Sequence, residues 1–254
     1  MSESRESLVV GQFGPRADAY VTSTVHAAGA DLDQVEQILA SARPSRVLDL
    51  GCGGGHLSYR AAPYAEAVTA CDLSDEMVRA VAREAAARGI ANIVTRQGPA
   101  ELLPFADGAF DMVLCRFTAH HWQDFAAGLR EARRVLSPGG QAVFIDVVSP
   151  GRPALDLYLQ TVEALRDTSH VRDYSAAEWA TALCAAGFDM GPTTPRRLWM
   201  DFPSWVQRMN TPDVFVRAIR AYQATLPPDV VRHFAVAADG SFFIDTLTME
   251  CRVN

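Results

Sequence analysis

The chain has 254 residues, 49% of them hydrophobic, with 23 basic against 30 acidic side chains and a net charge of −7. Without a basic run, that balance argues against nucleic acid or an anionic membrane surface as partner. No stretch approaches the ~18 apolar residues that a membrane-spanning helix requires. The length suits one large α/β domain with an insertion, or two small domains. Cys52, Cys71, Cys115, Cys184 and Cys251 are odd in number and scattered without a CxxC pair, so they read as free thiols in a reducing cytoplasm, and no metal centre is expected. The polar segment Met1–Ser7 lacks the apolar core of a secretory signal.

Taken in order, Ala17–Gly29 and Asp31–Ala42 are predicted helices, with Gly29 as a stop and Asp31 as an N-cap. Strands and helices then alternate strictly. Val47–Leu50 is a strand and His56–Tyr64 a helix; Ala67–Asp72 is a strand and Asp75–Ala87 a helix capped by Ser74. Strands follow at Ile93–Gln97 and Phe110–Cys115, then a helix at Phe125–Leu136 and a strand at Gln141–Val148. Such alternation predicts a parallel sheet with helices on both faces. Beyond Pro150 come helices at Arg152–Thr168 and Ala176–Ala186, and a strand near Phe188–Trp199. A helical stretch at Ser204–Ala224 is broken by Pro212, Pro227-Pro228 marks a loop, and a last strand starts after Gly240. About 40 residues separate the last two strands, too many for a bare hairpin loop, so an inserted cap over residues 202–238 is expected.

The most informative stretch is Arg46–Gly55, Arg-Val-Leu-Asp-Leu-Gly-Cys-Gly-Gly-Gly. Glycines crowded between a buried strand and a helix let the backbone bend sharply and let a ligand approach, at the strand ends where open α/β sheets bind ligands. Asp72, at the end of the second strand, lies 21 positions after Gly51. A carboxylate placed there can accept both hydroxyls of a ribose. A dinucleotide fingerprint would need a third glycine in GxGxxG register, and position 56 is His.

With Asp49-Leu-Gly-Cys-Gly-Gly-Gly55 and Asp72 in place, the chain resembles class I S-adenosylmethionine-dependent methyltransferases, most closely the small-molecule group that includes the ubiquinone and menaquinone C-methyltransferases. The resemblance implies a Rossmann-like, doubly wound, seven-stranded, mostly parallel sheet with an antiparallel last strand. It also implies an N-terminal helical lid (1–43), a cofactor-binding core (44–150) and a C-terminal part carrying the cap (151–254). S-adenosylmethionine would meet Asp49, Gly51, Cys52, Gly53 and Gly55, with Asp72 on the ribose and Leu73 and Met77 flanking the adenine. In Gln97-Gly-Pro-Ala-Glu-Leu-Leu-Pro-Phe105, Pro99 stands where the family has an Asp for the adenine amine. The Ala100 N–H remains for the ring, and Glu101 is the substitute anion. Losing one charged hydrogen bond costs about 1.5–3 kcal/mol.

The same resemblance sets Cys115 and Arg116 against the cofactor and points Phe117 and Thr118 toward the acceptor. His120 and His121 follow, and a neutral histidine suits removal of a proton from a phenolic or enolic acceptor. Tyr20 and His26, with Phe13, come from the N-terminal segment, and Trp199, Trp205, Arg208, Met209 and Phe215 from the cap. That aromatic lining suits an aromatic, quinone-like or polyketide-like acceptor. The expected activity is methyl transfer to a small molecule, in the cytoplasm and with a homodimer left open. The alternative is a non-catalytic protein that binds S-adenosylmethionine as a sensor or partner subunit.

Overall fold

The computed structural model describes residues 5–14 and 29–254. Helices α1 (Arg5–Phe13) and α2 (Ala30–Ala42) precede β1 (Arg46–Leu50), α3 (His56–Ala61), β2 (Ala67–Asp72), α4 (Asp75–Ala87) and β3 (Ile93–Gln97). Then come β4 (Phe110–Arg116), α5 (Phe125–Arg134), β5 (Leu136–Val147), α6 (Pro153–Arg166) and α7 (Ala176–Ala185). Strand β6 (Asp189–Met200) leads through α8 (Phe202–Arg208), α9 (Asp213–Gln223) and α10 (Pro228–Phe234) to β7 (Phe242–Arg252). The strands form one seven-stranded sheet of order β3-β2-β1-β4-β5-β7-β6. Pairings from β3 through β5 are parallel, and β7 runs antiparallel between β5 and β6. Strand order therefore reverses between β1 and β4, which opens a crevice at their carboxyl ends.

Strand β1 shows why this region is apolar without alternation. Val47 faces Leu32, Val35 and Leu39 of α2, while Leu48 and Leu50 face the core built by α5 and α7 around Leu129 and Trp179. With both faces covered, neighbouring positions such as Val47 and Leu48 are both apolar, and the strand's one buried acid, Asp49, needs hydrogen-bond partners. A third cluster joins α6, α8, α9 and α10 to the far end of the sheet through Val147, Phe242 and Ile244. Helix α4 buries Met77, Val78, Ala80, Val81 and Ala85 at helical spacing, and its N-cap Ser74 accepts the Met77 N–H at 3.3 Å.

Local signals misplace several boundaries. Asp31 is not an N-cap: Gly29 holds that position without a side-chain bond, and Asp31 sits in the first turn of α2, paired elsewhere. The Ser137-Pro138-Gly139-Gly140 segment belongs to β5 rather than ending a helix. Gly139 N–H donates to Val253 O and Gly140 O accepts from Val253 N–H, at 2.9 and 3.0 Å, so the chain's last residues supply partners that no local pattern announces. Pro228 opens α10 as a first-turn proline, where its missing N–H costs nothing. Helix α1 carried no predicted element, and the helix expected over 17–28 lies outside the described residues.

Candidate active site

The β1–α3 junction is held by its own carboxylate. Asp49 is 1% exposed and its Oδ2 accepts both the N–H and the hydroxyl of Ser58, at 2.9 and 2.6 Å, which ties the strand end to the first turn of α3. Burial raises its pKa to about 7, against the pull of those hydrogen bonds. Gly51 and Cys52 both donate to Cys71 O at 2.9 Å, so the turn folds back on β2. The left-handed φ of Gly51, 70°, comes with contact: a Cβ there would lie 2.3 Å from Thr118 Oγ1. Gly53, at φ 48°, would meet nothing within 4 Å.

Asp72 closes this side. Its Oδ2 accepts the Gly53 N–H and its Oδ1 the Ser74 N–H, both at 2.9 Å. A cavity of about 370 Å³ opens beside it, within the range of small-molecule sites. Asp49, Gly51, Cys52 and Gly53 form one wall, and Asp72, Leu73, Met77, Pro99, Ala100 and Glu101 continue it. Glu101 is engaged: its Oε1 accepts the Gln123 N–H at 2.8 Å.

Two expected cofactor contacts need correction. Cys115 is 1% exposed inside the core and does not line the cavity, because its side chain points into the α5 face of the sheet. Gly55 also lies off the wall; a Cβ there would come within 2.9 Å of the Tyr59 ring, so its smallness serves packing. Arg116 does line the cavity, and its Nε donates to Asp31 Oδ2 at 2.6 Å, with the two side chains 9% and 13% exposed.

The opposite wall begins where β4 ends. Phe117 takes φ 52°, a strained value for a side chain of that size, and Thr118 leads into a single 3-10 turn, Ala119–His121. Asp146, from the carboxyl end of β5, organises that turn: its Oδ2 accepts the Ala119 N–H at 3.0 Å and its Oδ1 lies 2.6 Å from His120 Nδ1. Burial opposes charge on His120, but the attraction of Asp146 and their hydrogen bond prevail and raise its pKa to about 9. The imidazole is therefore cationic at neutral pH in the ligand-free protein, not neutral as expected. His121 behaves oppositely: burial and the neighbouring His120 charge push it down, so it stays neutral.

From the N-terminal side, the Phe13 ring lies edge-on to His121 at 5.0 Å, and Gln12 Nε2 donates to Met209 O at 3.2 Å. Phe117, Thr118, Trp205, Arg208 and Met209 reach the cavity; Trp199 and Phe215 do not, and Trp199 is 44% exposed. Tyr20 and His26 lie outside the described residues. Sequence reasoning missed Asp146, Glu163, Arg166, Asp167 and Asp173. Asp146 had a legible signal, a lone acid in the apolar run Ala142-Val-Phe-Ile-Asp-Val-Val148. The others come from α6 and the loop after it, where no pattern distinguishes them from surface charges. Among the described residues, no group of three or more His, Cys, Asp or Glu side chains is placed to hold a metal, and no helix is long and apolar enough to cross a membrane.

Comparison with known proteins places this geometry. A family model described as a methyltransferase domain matches residues 48–144, from β1 into β5. The chain is 48% identical over 200 residues to YafE of Escherichia coli K12, covering 79% of this chain and 97% of that one. It is 34% identical over 200 residues to YcgJ of Bacillus subtilis, named a methyltransferase, covering 79% of each. The crystal structure of Bacillus subtilis YcgJ superposes with a TM-score of 0.84, covering 88% of this chain and 98% of that one. The chain belongs to the class I S-adenosylmethionine-dependent methyltransferases.

Proposed function

We propose that this methyltransferase acts on an acidic small molecule, phenolic, enolic or quinone-like, with His120 as the base and Asp146 as the group that positions it. The residues of the first wall fit the cofactor: Gly53 presents bare backbone to open space, and Asp72 offers a half-buried carboxylate beside it. Gly51, Gly53, Asp72, Leu73, Met77 and Ala100 would hold S-adenosylmethionine, which supplies an electrophilic methyl group when bound. The chain's own contribution is alignment, exclusion of water and removal of a proton.

The observation that carries this reading is the His120–Asp146 contact of 2.6 Å on the cavity wall. Asp146 fixes Nδ1 as the protonated nitrogen and leaves Nε2 for the acceptor. It also tunes strength: a conjugate acid near 9 is nearly matched to a phenol, whose ordinary pKa is about 10. A positively charged methyl donor nearby opposes the imidazolium and favours the neutral base.

The test is a turnover screen with labelled S-adenosylmethionine over phenols and enols, comparing wild type with His120→Ala and His121→Ala. Loss of about 10²–10⁴-fold in His120→Ala alone supports the assignment. Near-full rates in both variants remove it. Cofactor binding without turnover on any such compound favours a binding protein instead.

A further inference from the structure

Three buried acids line the acceptor side of the cavity and a fourth, Asp146, sits against His120; of the four, three have partners. Asp146 holds His120. Glu163 meets Arg166 at 3.3 Å, and Asp167 Oδ1 accepts the N–H and hydroxyl of Ser169 at 2.8 and 2.7 Å. Asp173 differs. Its side chain is 1% exposed, it lines the cavity, and its Oδ2 has no hydrogen-bond partner among the described residues.

His170 Nε2 lies 3.8 Å from that oxygen but is committed elsewhere, at 3.1 Å from Gln160 Oε1. Gln160 is fixed in that orientation. Its amide nitrogen donates to Asp156 Oδ1 and Asp173 O at 3.0 and 2.7 Å, and its Oε1 accepts the Asp173 N–H at 3.1 Å. The backbone of Asp173 is thus clamped, while its side chain, at the cavity lining, keeps one oxygen without a donor. A buried carboxylate without a donor is costly; the neutral acid is far less so, and it carries an O–H to give. The surroundings agree: burial first, then the charges of Glu163, Asp146 and Asp156, hold Asp173 well above the ordinary carboxylate range, with His120 pulling the other way.

Resting on the methyl-transfer reading above, we propose that Asp173 donates its O–H to a carbonyl oxygen of the acceptor. The preferred acceptor is then a hydroxy-carbonyl compound, with an acidic hydroxyl for His120 and a carbonyl for Asp173. This makes Asp173 an acceptor-binding residue that sets specificity.

Two probes that differ at the carbonyl, para-hydroxyacetophenone and para-ethylphenol, test it by titration into the full chain saturated with S-adenosylhomocysteine. Wild type is expected to bind the ketone about tenfold more tightly, the worth of one buried hydrogen bond. Asp173→Leu abolishes that preference, and Asp173→Asn, which keeps an N–H donor, retains part of it. Infrared difference spectra at neutral pH show a protonated carboxyl band that Asp173→Asn lacks and that shifts when the ketone binds. Should Asp173→Leu fail to fold, the Asn variant and this band still decide. Equal affinity for the two probes, no binding of the ketone, or a wild-type spectrum without the band overturns the proposal. A ketone preference with no methyl transfer to any acidic compound leaves the Asp173 donor in place and refutes the methyl-transfer reading instead.

Discussion

The two sides of the cavity are made of different material. The wall from β1 to the loop after β3 is rich in glycines and peptide N–H groups tied to nearby carboxylates, by contacts such as Gly53 N–H to Asp72 across 19 positions. The wall beyond β4 is side chains brought from far apart, as when Gln12 reaches the Met209 carbonyl across 197 positions. Backbone constrains shape and leaves little to vary, while side chains on distant elements can change one at a time. One wall suits a cofactor that never changes, the other a substrate that does.

The largest expected effect breaks the side-chain wall. His120→Ala should lower kcat by about 10²–10⁴-fold while cofactor affinity, read by calorimetry, stays put. In wild type, kcat/KM should climb with pH and level off above about 9, since only neutral His120 accepts a proton. Asp146→Asn should move that limb to lower pH. The sign for stability is opposite. The pair raises His120 above its unfolded value of 6.5, so its stabilisation is complete below about pH 6.5 and is lost as pH rises through about 9, as denaturation at the two extremes would show.

The backbone wall breaks differently. Gly51→Ala combines a left-handed φ with a clash against Thr118 and should cost about 2–4 kcal/mol in urea denaturation. Gly53→Ala has the φ penalty without the clash, about 1 kcal/mol, yet its methyl enters the cavity, so cofactor affinity should fall out of proportion to stability. Equal losses in both variants would erase the distinction between a glycine hemmed in by protein and one open to the cavity.

Smaller effects sharpen the comparison where the walls meet. A double-mutant cycle on Arg116 and Asp31, nearly buried at 2.6 Å, should give a coupling of about 0.5–3 kcal/mol. Glu101→Gln should matter least, within about 0.5 kcal/mol in stability, because the amide oxygen still accepts from Gln123. A tenfold loss of cofactor affinity in that variant would reinstate Glu101 as the adenine's anionic partner.

The same contrast explains what the sequence let us read. The glycine turn, the Ser74 cap and Asp72 are local patterns, legible because each lies within a few residues of the element it shapes. Asp146 could have been found as an acid stranded in an apolar strand, but nothing in the sequence says that it faces His120. Asp173 had no signal, since its role depends on Gln160, one helix away, holding its backbone. Cys115 shows the same limit. The resemblance set it beside Arg116 against the cofactor, but side-chain alternation turns it into the α5 face of the sheet.

Gly51 has no room for a side chain because the turn that carries Thr118 lies against it. The two turns follow adjacent strands in direct register, with Leu50 opposite Cys115. The two walls therefore spring from the sheet one β-ladder spacing apart, about 4.8 Å, a length that no side-chain substitution can stretch. New acceptors can be admitted by rebuilding the roof or the far end of the chamber, but the footing from which both walls rise is inherited with the sheet.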